Sequence, residues 1–217
     1  MKLSEVINFC REFSARFSAL NLRHLQLEFH ESPETASISL ACRNEACNTE
    51  AVLAVSHDTV RLLKINCFEP VDCHFTFSSK LELYAHLLRL LVKSCEASGI
   101  FVSPFEALNA TLGRKINDWR ELVVYVCSLL PEEQGAIEVL ASRYNALWLL
   151  ATIFFVHDGV FVADGFFRRQ IEYENSLDLI ISVLETVSGL LKIFGYEVDP
   201  LSGDSLRNLK LHPGLSS

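Results

Sequence analysis

The 217-residue chain has no apolar run long enough to cross a bilayer. Its longest, Ala146 to Val156, closes on His157 and Asp158 after 11 residues, whereas a spanning helix needs about 20. A secretory leader pattern is absent too. Met1 to Leu20 is interrupted by Glu5, Arg11, Glu12 and Arg16 at helical spacing, which predicts a helix of the mature fold. Basic residues are in deficit, 19 against 27 acidic, for a net charge of −8. The deficit is spread evenly, with 10 basic and 12 acidic groups in residues 1–103 and 9 and 15 in the remainder. With no basic arm or face to attract phosphates, neither nucleic acid nor a membrane surface is an expected partner. Charged residues are only 21% of the chain and hydrophobic ones 50%, which excludes the disordered class. Seven cysteines (Cys10, Cys42, Cys47, Cys67, Cys73, Cys95, Cys127) fall at irregular intervals. An odd number in a chain large enough to build its own core argues against a disulfide framework. Reduced thiols and a cytoplasmic location are the expectation.

Hydrophobic periodicity supplies the element order. Val6, Phe9, Phe13, Phe17 and Leu20 recur every three to four residues, predicting an amphipathic helix over 3–20. From Arg23 the period falls to two. Leu25, Leu27 and Phe29 alternate with polar residues, and Ala36 to Cys42, Ala51 to Val55, Val60 to Cys67 and Cys73 to Phe77 read as further strands. Their short connections imply hairpins and an antiparallel sheet. Ser79 and Glu82 form a capping box that opens a helix ending at Gly99. Ser103, Pro104 and Glu106 open a shorter one ending near Gly113. Leu122 to Leu130 suits either state, and its run of Val123, Val124, Tyr125 and Val126 tips the reading to strand. Pro131, Glu132 and Glu133 are read as opening a helix to about Asn145. Leu147–Val156 and Val160–Ile171 form a hairpin about Asp158-Gly159. A long helix follows Asn175, presenting Leu177, Ile180, Ile181, Leu184, Val187, Leu191 and Phe194 and ending at Gly195. The fold class expected is thus α+β, antiparallel sheets with flanking helices in two related units, residues 1–103 and 104–198. Residues 199–217 are expected to be a loosely attached tail.

The second unit resembles the YbjN family, whose fold is related to that of type III secretion chaperones. The likeness lies in Pro131-Glu132-Glu133 leading to Tyr144-Asn145, in Phe154-Phe155-Val156-His157-Asp158-Gly159-Val160-Phe161-Val162, and in Asn175 ahead of the terminal helix. It covers about 70 residues, and the first half matches more loosely as a second copy of the same unit. The resemblance implies a small, acidic, cytoplasmic bacterial protein that is not an enzyme, binds other polypeptides and often dimerises. It carries over no catalytic residues.

The residues themselves offer three chemical candidates. Cys42, Cys47, Cys67, Cys73 and His74 are zinc's preferred ligand types. Their gaps of four and five residues are looser than a zinc knuckle requires, and Cys42, Cys67 and Cys73 fall in register with buried strand faces, where thiols act as small hydrophobes. His24, Glu28 and His30 share the polar face of one strand and could hold a metal, although a solvated face has the same pattern. His157 and Asp158 resemble part of a catalytic dyad, but no nucleophile elbow accompanies them and a tight turn accounts for Asp-Gly. No metal, cofactor or catalytic residue is therefore assigned.

What remains is surface. Leu147–Val156 and Val160–Phe167 are apolar at both parities, so neither side of that hairpin suits water, and each needs a cover. Beside it stand Phe166 and Phe167 with Arg168 and Arg169, the candidate partner-binding residues. The functional expectation is a protein-binding module that holds a polypeptide or pairs with its own twin. A zinc-stabilised domain on the cysteines and His74 is the alternative.

Overall fold

In the computed structural model, the backbone is described for residues 1–22, 25–44, 47–65, 73–118, 121–122, 125, 136–143, 146–157, 160–193, 196–202 and 210–211. Within these, the side chains of 42–44, 47–49, 64–65, 136–143, 146–157, 160–169, 190, 193, 196 and 210–211 lie outside the description. The fold is α+β, and it divides into two compact units. One comprises Met1–Lys115 with Asp199–Gly203, the other Ile116–Val198 with Asp204–Ser217.

The first unit opens with α1 (Leu3–Ser18), whose Glu5 carboxylate accepts from the Lys2 backbone N–H. The strands β1 (Leu25–Glu31), β2 (Ala36–Asn44), β3 (Cys47–Val55), β4 (Thr59–Ile65) and β5 (His74–Thr76) follow as an antiparallel meander in chain order. Then come α2 (Lys80–Ala97) and α3 (Pro104–Leu112). The alternation read from the sequence decides which side of the sheet is buried. Ile38, Leu40, Leu53, Val55, Val60 and Leu62 are all at or below 3% exposure, and α1 packs against β1 and β2 and α2 against β4. Ser79 caps α2 through its hydroxyl, which accepts from the Glu82 N–H, while the Glu82 carboxylate accepts from Ser78. At the other end the Ile100 N–H reaches back to the Cys95 carbonyl around Gly99, which sits at φ +72°. This is a left-handed cap that glycine adopts without a Cβ clash.

The unit boundaries differ from those read in the sequence, which place 104–198 together and leave 199–217 loose. The helix α3 belongs with the first unit because it packs on α1 and α2. The buried Tyr84 hydroxyl meets the Thr111 hydroxyl at 2.6 Å, and Arg16 donates to the Thr111 carbonyl at 2.9 Å. The start of the supposed tail is tied down as well. Lys80 pairs with Asp199 at 2.6 Å, Arg16 donates to the Leu201 carbonyl, and Leu201 is fully buried.

The second unit holds a three-stranded antiparallel sheet of β6 (Ala136–Arg143), β7 (Ala146–His157) and β8 (Val160–Glu172) with β7 in the middle. The helix α4 (Ser176–Ile193) packs on β8, and β9 (Tyr196–Glu197) pairs with β10 (Lys210–Leu211). Asn175 caps α4, its side-chain oxygen accepting from the Asp178 N–H at 3.0 Å. The hairpin is as expected, with His157 opposite Val160 across a two-residue connection; Asp158 and Gly159 themselves lie outside the described residues.

Two expectations are corrected in this unit. Residues 136–143, read as part of a helix, form β6, because Ile137 and Val139 pair along the exposed edge of β7 and so extend its ladder. That tertiary contact outweighs a favourable helix composition. Conversely Leu122 and Tyr125, read as strand, are helical, as is Glu121 before them. Asp118 opens that turn, its carboxylate accepting from the Glu121 N–H at 3.0 Å and its carbonyl from the Leu122 N–H. Residues 123–124 and 126–135, including Pro131, Glu132 and Glu133, lie outside the described residues.

Candidate functional site

The structure separates the cysteines that the zinc reading would unite. Cys42 on β2 pairs with Thr49, whereas the Cys73 carbonyl accepts from Leu62, which is in line with Leu53 and Ile38. Cys42 is therefore three strands and four positions from Cys73, about 19 Å at ordinary strand spacing and rise. Zinc holds sulfur at about 2.3 Å, so one ion does not reach both. Cys73 is a half-buried free thiol, and His74 is exposed. Cys67 and the side chains of Cys42 and Cys47 lie outside the described residues. Among those described, no three His, Cys, Asp or Glu side chains cluster as metal ligands.

Glu28 and His30 stand together on β1, 3.5 Å apart and well exposed at 65% and 59% of their side-chain surface. His24 lies outside the described residues, as does Asp158, and the His157 side chain is not described. Phe166, Phe167, Arg168 and Arg169 fall on β8 opposite Thr152, Ala151, Leu150 and Leu149, with their side chains outside the description. The same strand shows its alternation one step further on, where Ile171 is buried and Gln170 and Glu172 are exposed. The central strand partners of those two exposed residues are Trp148 and Ala146.

A second surface lies on the five-stranded sheet. Helices cover one side of the five-stranded sheet, and the described residues of the other side include Gln26, Glu28 and His30 on β1, Ser37, Ser39 and Ala41 on β2, Glu50, Val52 and Ala54 on β3, and Arg61 and Leu63 on β4. Ser37, Ser39, Ala41, Val52 and Ala54 are half-buried, and Glu50 and the residues on β1 and β4 are exposed. Register aligns His30, Ser37, Ala54, Arg61 and His74 in one row across all five strands. Between Val52 and Leu53 the ladder shifts by one residue, leaving Leu63 as the extra position of a β-bulge. Leu63 faces the same side as Arg61 by plain alternation and is 41% exposed. Among the described residues Phe101, between α2 and α3, is the other strongly exposed large apolar residue, at 83%. Neither stood out in the sequence. Leu63 lies in a continuous apolar stretch, where its alternation with the buried Val60 and Leu62 shows only once the strand's buried side is known.

Cys10 shows what burial does to a thiol here. It sits fully enclosed on α1, and desolvation pushes its pKa up to about 12 from an ordinary 9.0. Below pH 9 the thiol is neutral whether the chain is folded or not. Above it, the unfolded chain loses the proton while the folded one keeps it, so stability falls as pH rises towards 12. Comparing the native chain with Cys10→Val cancels other titrations. The native chain is expected to lose about 1 kcal/mol more between pH 9 and 10, read from urea unfolding. Parallel curves would show that Cys10 is not sealed from water.

No match to this chain was found among protein-family models, curated proteins or solved structures.

Proposed function

We propose that the chain is a non-enzymatic, cytoplasmic bacterial binding module, type III secretion chaperone-like or regulatory, that holds a polypeptide or pairs with itself. One observation carries this reading. The middle strand β7 is apolar at both parities, yet its neighbour β8 buries Ile171 and exposes Gln170 and Glu172. An apolar strand in a sheet with an open side is a surface that another chain can cover. A strand-hairpin unit with one long helix also fits the YbjN-like resemblance. Among the described residues no helix is long and apolar enough to cross a membrane.

The test uses the full chain as bait in lysate of its native host, with Phe166→Ser/Phe167→Ser and Arg168→Glu/Arg169→Glu as variants and circular dichroism as the folding control. A polypeptide captured by the native chain and lost by folded variants is the expected result. No captured polypeptide, together with a monomer by light scattering at all concentrations, would sink the reading.

A further inference from the structure

We propose that Asp199–Ser202 fills, as a built-in ligand, a peptide-docking site on the three helices of the first unit, and that the outside partner of this site is a polypeptide carrying an Asp-Pro-Leu turn. This deepens the polypeptide-binding reading above and rests on it, but places the contact away from the β7–β8 hairpin.

The segment has the construction of a ligand. Asp199–Gly203 belongs to the first unit, whereas the chain up to Val198 and again from Asp204 belongs to the second. Its shape comes from bonds within itself. One Asp199 carboxylate oxygen, Oδ1, accepts from the Leu201 N–H at 3.1 Å, and the Asp199 carbonyl accepts from the Ser202 N–H and hydroxyl at 3.2 and 3.0 Å. An aspartate that bonds the backbone two residues on makes a turn that a short peptide can form alone. Pro200 fixes one of its φ angles in advance.

The receiving side is held together without the segment. Glu12 at 2.6 Å and the Thr111 carbonyl at 2.9 Å anchor the Arg16 guanidinium between α1 and α3, and the same group donates to the Leu201 carbonyl. Lys80 stands at the first position of α2, behind the Ser79 cap, and meets the other Asp199 oxygen, Oδ2, at 2.6 Å. Pro200 and Leu201 are buried, Leu201 completely. Recognition thus asks for one carboxylate, one backbone carbonyl and one leucine side chain two residues after the acid. The acid is required. Lys80 is only 24% exposed under the segment, so a covering peptide without a carboxylate would leave an ammonium partly desolvated and unpaired.

Tethering decides when the site is open. A segment in the same chain competes at an effective concentration on the order of millimolar for a short flexible connection. An outside peptide therefore binds with an affinity reduced by the fraction of chains in which the segment is lifted.

An NMR titration of the isotope-labelled full chain with a synthetic peptide of residues 198–203 tests this, with circular dichroism confirming that each variant folds. Asp199→Ala/Leu201→Ala, which weakens the built-in ligand, should bind the peptide at least tenfold more tightly than the native chain, with amide shifts centred on the end of α1 and the start of α2. Asp199→Asn in the chain is the milder variant, and it should also bind more tightly than the native chain. The peptide made with Asp199→Asn keeps its turn and loses the partner of Lys80, so it should bind at least tenfold more weakly. Lys80→Met should erase that difference between the two peptides, which a merely structural role for Lys80 would not do. Equal affinity in the native chain and the folded variants, or a difference between the peptides that survives Lys80→Met, overturns the proposal. A native dimer that the peptide turns into monomers gives the site to a second copy and overturns the choice of an outside partner. If no folded variant binds the peptide while lysate capture persists and is lost in Phe166→Ser/Phe167→Ser, the hairpin reading stands and this site falls. If the peptide binds as expected and capture survives Phe166→Ser/Phe167→Ser, this site stands and the hairpin falls.

Discussion

Phe13→Ala is expected to lower the free energy of unfolding by about 3–5 kcal/mol, the range for deleting a fully enclosed aromatic side chain. Phe13 is completely buried on α1. Its ring stacks towards Phe17 with centroids 6.2 Å apart and meets Tyr84 of α2 edge-on at 5.5 Å. Edge contacts of this kind add to area burial because the positive rim of one ring faces the negative face of another. The loss therefore has two parts, a cavity between α1 and α2 and the removal of one member of an aromatic trio. Tyr84 spends its hydroxyl on Thr111 of α3, so its ring cannot swing to fill the space without breaking that bond. Chemical denaturation of the purified variant gives the value. A loss under about 1 kcal/mol would mean that the site collapses freely and that the helices are not locked together there.

The same residues show why the first unit was legible. Phe9, Phe13 and Phe17 stand at helical spacing, and Leu25, Leu27 and Phe29 alternate, so each pattern names both the element and its buried side. Ser79 with Glu82 and Pro104 with Gly113 mark their helix ends by local hydrogen bonding and backbone preference, which need no tertiary knowledge. The second unit is apolar without a period, and there local composition misleads. Ala136 to Arg143 could be helix on propensity, and only the long unpaired edge of β7 makes it strand. The reverse error at Leu122 and Tyr125 came from weighing β-branched residues above Asp118 and Glu121, whose three-residue spacing is a helix-start signal. The surface candidates divide in the same way. Glu28 and His30 were visible as a polar strand row, whereas Arg61 and Leu63 need the strand register before they join them on one face. Cys42 and Cys73 do not share one ion for a related reason. Spacing along the chain says nothing about the strands that intervene, and here they carry Cys42 away from Cys73.

Arg16→Ala is the second large effect, about 2–4 kcal/mol on the scale of charge-assisted hydrogen bonds to groups that lose their partner. Arg16 on α1 donates to the Thr111 carbonyl at the end of α3, to the Leu201 carbonyl, and to Glu12 one turn back at 2.6 Å. The Glu12 pair is half exposed and contributes little by itself. The two carbonyls are different, because alanine leaves both without the donor that satisfies them in a partly buried setting. Leu201 has no exposure at all, and the turn that carries it is held otherwise by Lys80 with Asp199 and by the Leu201 N–H on the Asp199 carboxylate. Removing Arg16 should therefore loosen Asp199–Gly203 before it unfolds the sheet. Hydrogen exchange is expected to accelerate at the Leu201 and Ser202 amides while those of β2 and β3 stay protected. Arg16→Lys should recover only part of the loss, since an ammonium keeps the charge but not the planar fork that spans two carbonyls at once. Uniform acceleration across the sheet would show instead that Arg16 supports the unit as a whole and that the 199–203 turn is not separately fastened.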